Sequence, residues 1–204
     1  MAFLDVLTRH MPQSPARKYM LRANHACLQA QSDPDYKHWL LTDEVGQGWQ
    51  HAAETLVTVA PKLKSRYVMI LDDDDLMINW DGIRLLKGAA ESNPAAVICR
   101  GWHGDLGVLP GPDAWERRPR LGTIGSFDFI IRRDLFGELA AGAVSGGYCN
   151  DFFIIDGIFE RDQQCQYDES AGGEHGDRER ELARENVPNP FFRMGAERQV
   201  DVCE

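Results

Sequence analysis

Four consecutive carboxylates, Asp72, Asp73, Asp74 and Asp75, directly follow the apolar run Tyr67, Val68, Met69, Ile70 and Leu71. Adjacent negative charges repel one another unless a cation or hydrogen-bond donors offset them. A hard divalent cation such as Mg²⁺ or Mn²⁺ takes oxygen ligands and bridges a few carboxylates to substrate phosphates, keeping water at its other positions. The plainer alternative is a solvated acidic turn that caps the next segment. Placement straight after a buried strand favours the cation, because ligands of α/β sheets gather where strands end.

A second set of chemically able side chains lies in residues 101–125, a stretch broken by Gly, Pro, Trp and Arg. Its length suggests a binding loop or hairpin rather than a simple connector. Trp102, His103 and Trp115 offer aromatic faces for a sugar ring, or else pack the loop onto the body of the protein. Arg117, Arg118 and Arg120 offer charge for a diphosphate, or form a solvated basic cluster.

The elements that must position these groups follow from periodicity. Residues 2–7 read as a first strand, with Thr8, Arg9 and His10 after it. Ser14 and Pro15 open a helix that runs to about Gln31. Trp39, Leu40 and Leu41 form a second strand that stops at Thr42, Asp43 and Glu44. Trp49, Ala52, Ala53, Leu56, Val57 and Ala60 mark the next amphipathic helix. The run 67–71 lacks alternation, as expected of a central parallel strand covered on both faces. Asp81 is placed to cap a helix through Ile83, Leu86 and Ala90, and residues 95–99 give another strand. The pattern resumes with a strand at 127–131, helices at 134–141 and 151–159, a weak strand at 164–167, a charged helix at 177–185 and a surface arm at 186–204. Such alternation predicts one α/β domain over residues 1–185, with a central, mainly parallel sheet flanked by helices.

Composition narrows the functions available. Among 204 residues, 32 are Asp or Glu and 22 are Lys or Arg, a net charge of −10 that opposes binding to nucleic acid or anionic membranes. Five cysteines without CxxC spacing indicate neither a disulfide framework nor a zinc site. No apolar run approaches the roughly 18 residues of a spanning helix, and Asp5 stands where a signal peptide would be apolar. A cytoplasmic chain without membrane insertion is the expectation.

With its preceding strand and two earlier βα units, the Leu71 to Asp75 segment resembles the DxD motif of family 2 glycosyltransferases, which have the GT-A nucleotide-diphospho-sugar fold. The resemblance implies a metal-dependent transfer, with inversion, from a nucleotide diphosphate sugar, a UDP-sugar being favoured, to a hydroxyl acceptor. By the same resemblance Thr8, Arg9, Asp43, Asp72 and Asp73 would contact the nucleotide, with Glu44 beside Asp43. Asp74 and Asp75 would hold Mn²⁺ or Mg²⁺, although four adjacent aspartates leave the register open. Asn150 and Asp151 resemble the family's Glu-Asp pair, with Asn in the first position. Asp151 would be the catalytic base, Asp156 is a nearby competitor, and a helix cap is the non-catalytic alternative for Asp151. His175, between glycines, falls where related enzymes place a late histidine and would complete the metal site, unless it is simply exposed.

Two other readings stand beside this one. A non-catalytic sugar-nucleotide or carbohydrate-binding protein would keep the fold without turnover. Asp72-x-Asp74 after an apolar strand is also similar to the haloacid dehalogenase phosphatases, but there the motif follows the first strand and continues differently.

Overall fold

The computed structural model describes residues 1–112, 114, 117–161 and 165–168. The chain alternates β1 (Leu4–His10), α1 (Pro15–Gln29), β2 (Tyr36–Thr42), α2 (Trp49–Val59), β3 (Tyr67–Ile70), α3 (Gly82–Ala89) and β4 (Ala96–Cys99). A small antiparallel pair, β5 (Gly101–Trp102) and β6 (Val108–Leu109), interrupts the alternation. The chain then continues through β7 (Phe129–Arg132), α4 (Arg133–Ala143), α5 (Asn150–Glu160) and β8 (Cys165–Asp168). The expected helix at 177–185, the arm at 186–204, Trp115 and His175 lie outside the described residues.

Six strands form one sheet in the order β2-β1-β3-β7-β4-β8. Five run the same way, and β7 is antiparallel to both neighbours. The expected mainly parallel sheet is therefore present, with one reversed strand. An apolar run carries no direction, so the reversal is invisible in residues 127–131 alone. It arises because the chain leaves β4 at one edge of the sheet, forms β5 and β6 there, and re-enters from that same edge.

Successive strand residues face opposite sides of a sheet, and that period of two sorts the core. Leu4 and Val6, Tyr67 and Met69, Val97 and Ile130 pack against Leu28 of α1 and Ile83 and Leu86 of α3. Leu7, Val68 and Ile70, Ala96 and Ile98, Phe129 and Ile131 pack against α2, α4 and α5 through Leu56, Phe136, Leu139 and Ile154. Full burial of such side chains contributes about 1.5–3 kcal/mol each. The result is a three-layer α/β domain.

Local chemistry sets the element ends. Ser14 Oγ accepts the Arg17 N–H at 3.5 Å, with Pro15 at the start of α1, as its sequence suggests. Asp81 differs from expectation: it precedes α3 but makes no capping bond. Its carboxylate is instead taken by Ser32 and Arg84, which hold its pKa down at about 2. β1 is longer than its apolar run, because its pairing with β2 extends through Thr8, Arg9 and His10. Among the described residues, no helix is long and apolar enough to cross a membrane.

Candidate active site

The alternation that sorts the core also splits the aspartates. Ile70 faces the α5 layer and Leu71 the α1 layer, so Asp72 and Asp73 continue on opposite faces. The backbone supports this continuation: Leu71 N–H donates to Leu7 C=O at 2.9 Å and Asp73 N–H to Arg9 C=O at 3.2 Å, extending the β1–β3 pairing past β3. On β1, Arg9 follows Leu7 toward the α5 layer, and His10 follows Val6 toward α1.

Asp72 and Asp73 accordingly meet different partners. Arg9 Nε and Nη2 donate to Asp72 Oδ1 and Oδ2, both at 2.6 Å. Asp73 is fully buried and shares its carboxylate among His10 Nδ1 at 2.6 Å, the Met11 N–H at 3.3 Å and Arg17. Arg17 also reaches Asp74 at 3.2 Å. From α1, the buried Asn24 amide donates to the carbonyls of Asp72 at 3.1 Å and Asp75 at 2.9 Å, and Asp75 Oδ2 accepts the Asp72 N–H at 3.0 Å. The turn is thus built from behind by α1 and stapled across itself.

Asp72, Asp74 and Asp75 each offer a carboxylate oxygen, and the three atoms lie within 4.8 Å of one another. A half-exposed cluster of anionic oxygen donors is the set that suits a hard divalent cation. These residues fit Mg²⁺ or Mn²⁺, with Arg9 already engaging Asp72. Asp73 faces the interior and stands apart from this cluster.

Asp151, in the first turn of α5, belongs to the same electrostatic neighbourhood. Burial pushes its pKa up; the Phe152 N–H at 2.8 Å and the charge of Arg9 oppose that rise, and Asp72 adds to it. Arg9 in turn feels burial, which favours loss of its proton, but Asp72, Asp151 and Asp75 outweigh it and raise its pKa. A partly desolvated carboxylate with raised proton affinity is a competent general base. The competitor Asp156 is otherwise engaged: Arg118 Nε and Nη2 donate to its two oxygens at 2.7 and 3.0 Å, and Arg118 also pairs with Glu160. Arg118 therefore ties its own stretch of chain to α5 rather than presenting free charge.

The remaining candidates are placed as follows. Asp43, after β2, accepts the N–H groups of Val45 at 3.2 Å, Gly46 at 2.9 Å and Gln47 at 2.6 Å. Burial would raise its pKa, but those donors outweigh it and hold the carboxyl below its usual range. Thr8 is buried, with Oγ1 2.9 Å from His38 Nε2, so its side chain is used inside the fold. Trp102 is exposed at the end of β5. The His103 ring stacks on Phe127, with centroids 4.5 Å apart, and its Nε2 lies 2.7 Å from the buried Asp128. His10, Arg17, Asn24 and Asp128 are site residues that sequence reasoning did not single out. Arg17 and Asn24 lie seven residues apart on α1, a two-turn spacing that could have marked one helix face.

No family model matches the sequence, and no curated protein matches it. Among solved structures the chain is similar to S. aureus TarS 1-349 in complex with UDP, with a TM-score of 0.63 and 9% identity over 83% of this chain. It spans 59% of the TarS chain. It is also similar to a glycosyltransferase involved in the glycosylation of the major capsid of PBCV-1, with a TM-score of 0.57 and 11% identity over 82% of this chain and 81% of that one. The chain has a glycosyltransferase-type fold of the GT-A kind.

Proposed function

We propose that this chain is a metal-dependent glycosyltransferase that moves a sugar, with inversion, from a nucleotide diphosphate donor to a hydroxyl acceptor. The observation that carries the reading is the clustering of the Asp72, Asp74 and Asp75 oxygens within 4.8 Å of one another, beside an Arg9 guanidinium that pairs with Asp72 and feels the charge of Asp151. A UDP-sugar is the favoured donor, supported by the UDP complex of the structurally similar TarS. Residues 1–185 act as one domain in this reading, drawing on a cytoplasmic nucleotide-sugar pool, and His175 joins the metal ligands.

Asp74 and Asp75, with the edge of Asp72, would hold Mn²⁺ or Mg²⁺, which when bound offsets charge on a diphosphate leaving group. The protein's own residues do the rest. Arg9 fixes the Asp72 carboxylate and supplies positive charge between the aspartate turn and Asp151. Asp43 orders the loop of residues 45–47, which would face the nucleotide in this reading. Asp151 takes the proton of the acceptor hydroxyl as that oxygen bonds to the anomeric carbon. The bond from that carbon to the diphosphate oxygen breaks, and the electron pair leaves with the diphosphate.

Calorimetric titration of UDP with and without Mn²⁺ tests the reading. Metal-linked UDP binding is expected, and its loss in Asp74→Asn; absence of metal-linked binding to UDP or any other nucleotide diphosphate would sink the proposal. Donor binding with neither transfer nor hydrolysis would instead identify a sugar-nucleotide-binding protein.

A further inference from the structure

Outside the aspartate turn, one buried ionisable pair has the marks of a built site. Asp128 is fully buried, immediately before β7, and its Oδ2 meets His103 Nε2 at 2.7 Å and the Gly125 N–H at 2.8 Å. Its other oxygen, Oδ1, is buried with no hydrogen-bond partner. Leaving a buried carboxylate oxygen unmatched costs folding free energy, so the pair needs a reason beyond stability.

The surroundings are cleared for it. A Cβ on Gly101 would come within 2.3 Å of Asp128 Oδ1 and 2.2 Å of the Phe127 ring, and one on Gly125 within 2.4 Å of His103 Cε1. Only glycine fits at either position as the chain stands. One face of the His103 ring lies on Phe127, nearly parallel at 18°, so it cannot lie flat against a sugar with both faces. Nδ1 has no hydrogen-bond partner among the described residues, and the side chain keeps 15% of its surface exposed. In the tautomer that directs its Nε2 proton at Asp128, Nδ1 is left as an acceptor.

Topology brings this acceptor to the same end of the sheet as the aspartate turn. β7 lies between β3 and β4 and runs antiparallel to both, so Asp128, just before it, shares a sheet edge with Asp72 after β3 and His103 beyond β4. Burial raises the Asp128 pKa against the opposing effect of His103, and the charge of Asp151 adds to the rise.

We propose that His103, oriented by Asp128, accepts a hydrogen bond at Nδ1 from a hydroxyl of the transferred sugar and thereby helps select it. The inference rests on the glycosyltransferase reading. His103 is the binding residue and Asp128 the positioning residue.

The test is binding of UDP, UDP-glucose and UDP-N-acetylglucosamine in the presence of Mn²⁺ to the full chain, His103→Gln and Asp128→Asn. The Gln amide reaches Asp128 as Nε2 does but offers nothing at the Nδ1 position. The Asn amide donates to Nε2 and moves the ring proton onto Nδ1. Both variants should bind UDP as the unaltered chain does, which also certifies their fold, while at least one of the two nucleotide sugars weakens by roughly three- to ten-fold. Equal loss for UDP and both sugars, or no loss for either sugar, overturns the inference alone. Failure of the unaltered chain to bind UDP overturns the underlying reading and this inference with it.

Discussion

Arg9 and Asp72 close a bidentate pair across the ends of neighbouring strands, with both N–H···O distances at 2.6 Å. Fork-to-fork pairing is directional as well as strong, so Asp72 is held in one orientation at the strand end. The same guanidinium feels Asp151 and Asp75. It is the positive centre around which the aspartate turn and the first turn of α5 are arranged, and it ties the proton affinity of Asp151 to the charge on the turn.

If Asp151 is the base, Asp151→Asn should lower transfer by about 10²–10⁴-fold while sparing UDP binding. Asp156→Asn should stay within a few-fold, since its carboxylate serves Arg118. The Asn at 151 should also raise the melting temperature near neutral pH. Burial raises the pKa of Asp151 in the folded state, so its ionisation is a cost to the fold above that pKa, and the cost disappears as acid protonates it. The stabilisation by Asp151→Asn should therefore shrink on acidification, read from paired thermal melts across pH.

Asp73 and Asp74 should separate fold from function. Asp73 is buried against His10 and Arg17, and Asp73→Asn strands those donors at a cost of about 3 kcal/mol by denaturant unfolding. Asp74→Asn should change stability by less than about 1 kcal/mol and abolish the Mn²⁺ dependence of nucleotide binding. The reverse pattern would move the register of the site by one residue.

That pair shows what was legible in the sequence. The βα alternation through β4 and the acidic strand end could be read directly, because apolar period and strand termination are local properties. Which aspartate faces which layer was not legible from four identical residues. It follows from the facing of Ile70 and Leu71, set by helices far along the chain. The reversal of β7 and the meeting of His103 with Asp128 depend on where the chain returns to the sheet after β4, which no local pattern encodes. Asp151 and Asp156 are five residues apart on one helix, and burial near Arg9 for the one and the arrival of Arg118 at the other distinguish them.

Charge around Asp151 is open to a direct test through Arg9. Its charge lowers the proton affinity of Asp151, opposing burial. Arg9→Gln should therefore move the acidic limb of the activity profile to higher pH, because a base is lost when it protonates and here it would protonate sooner. A limb unmoved by the substitution, measured as kcat/KM against pH, would separate Arg9 from the base electrostatically.

Gly101 tests the construction of the His103 and Asp128 pair. Gly101→Ala forces a methyl into the Phe127 ring and Asp128 Oδ1 and should cost about 1–3 kcal/mol by chemical denaturation.

Asp43 supplies the opposite pH signature to Asp151. Three N–H groups converge on its carboxylate, and they hold its pKa below the usual value although burial works against them. A group with a depressed folded pKa stabilises the fold above its unfolded pKa, and that contribution is lost as pH falls through the folded value. Asp43→Asn keeps one oxygen for Val45 and Gly46 but cannot serve Gln47 in the same way. It should lower the melting temperature at pH 7, and the gap from the unaltered chain should close as the pH drops below about 4, the ordinary carboxylate range. A gap that stays constant through that window would mean that the loop of residues 45–47 is ordered by shape alone, without the charge.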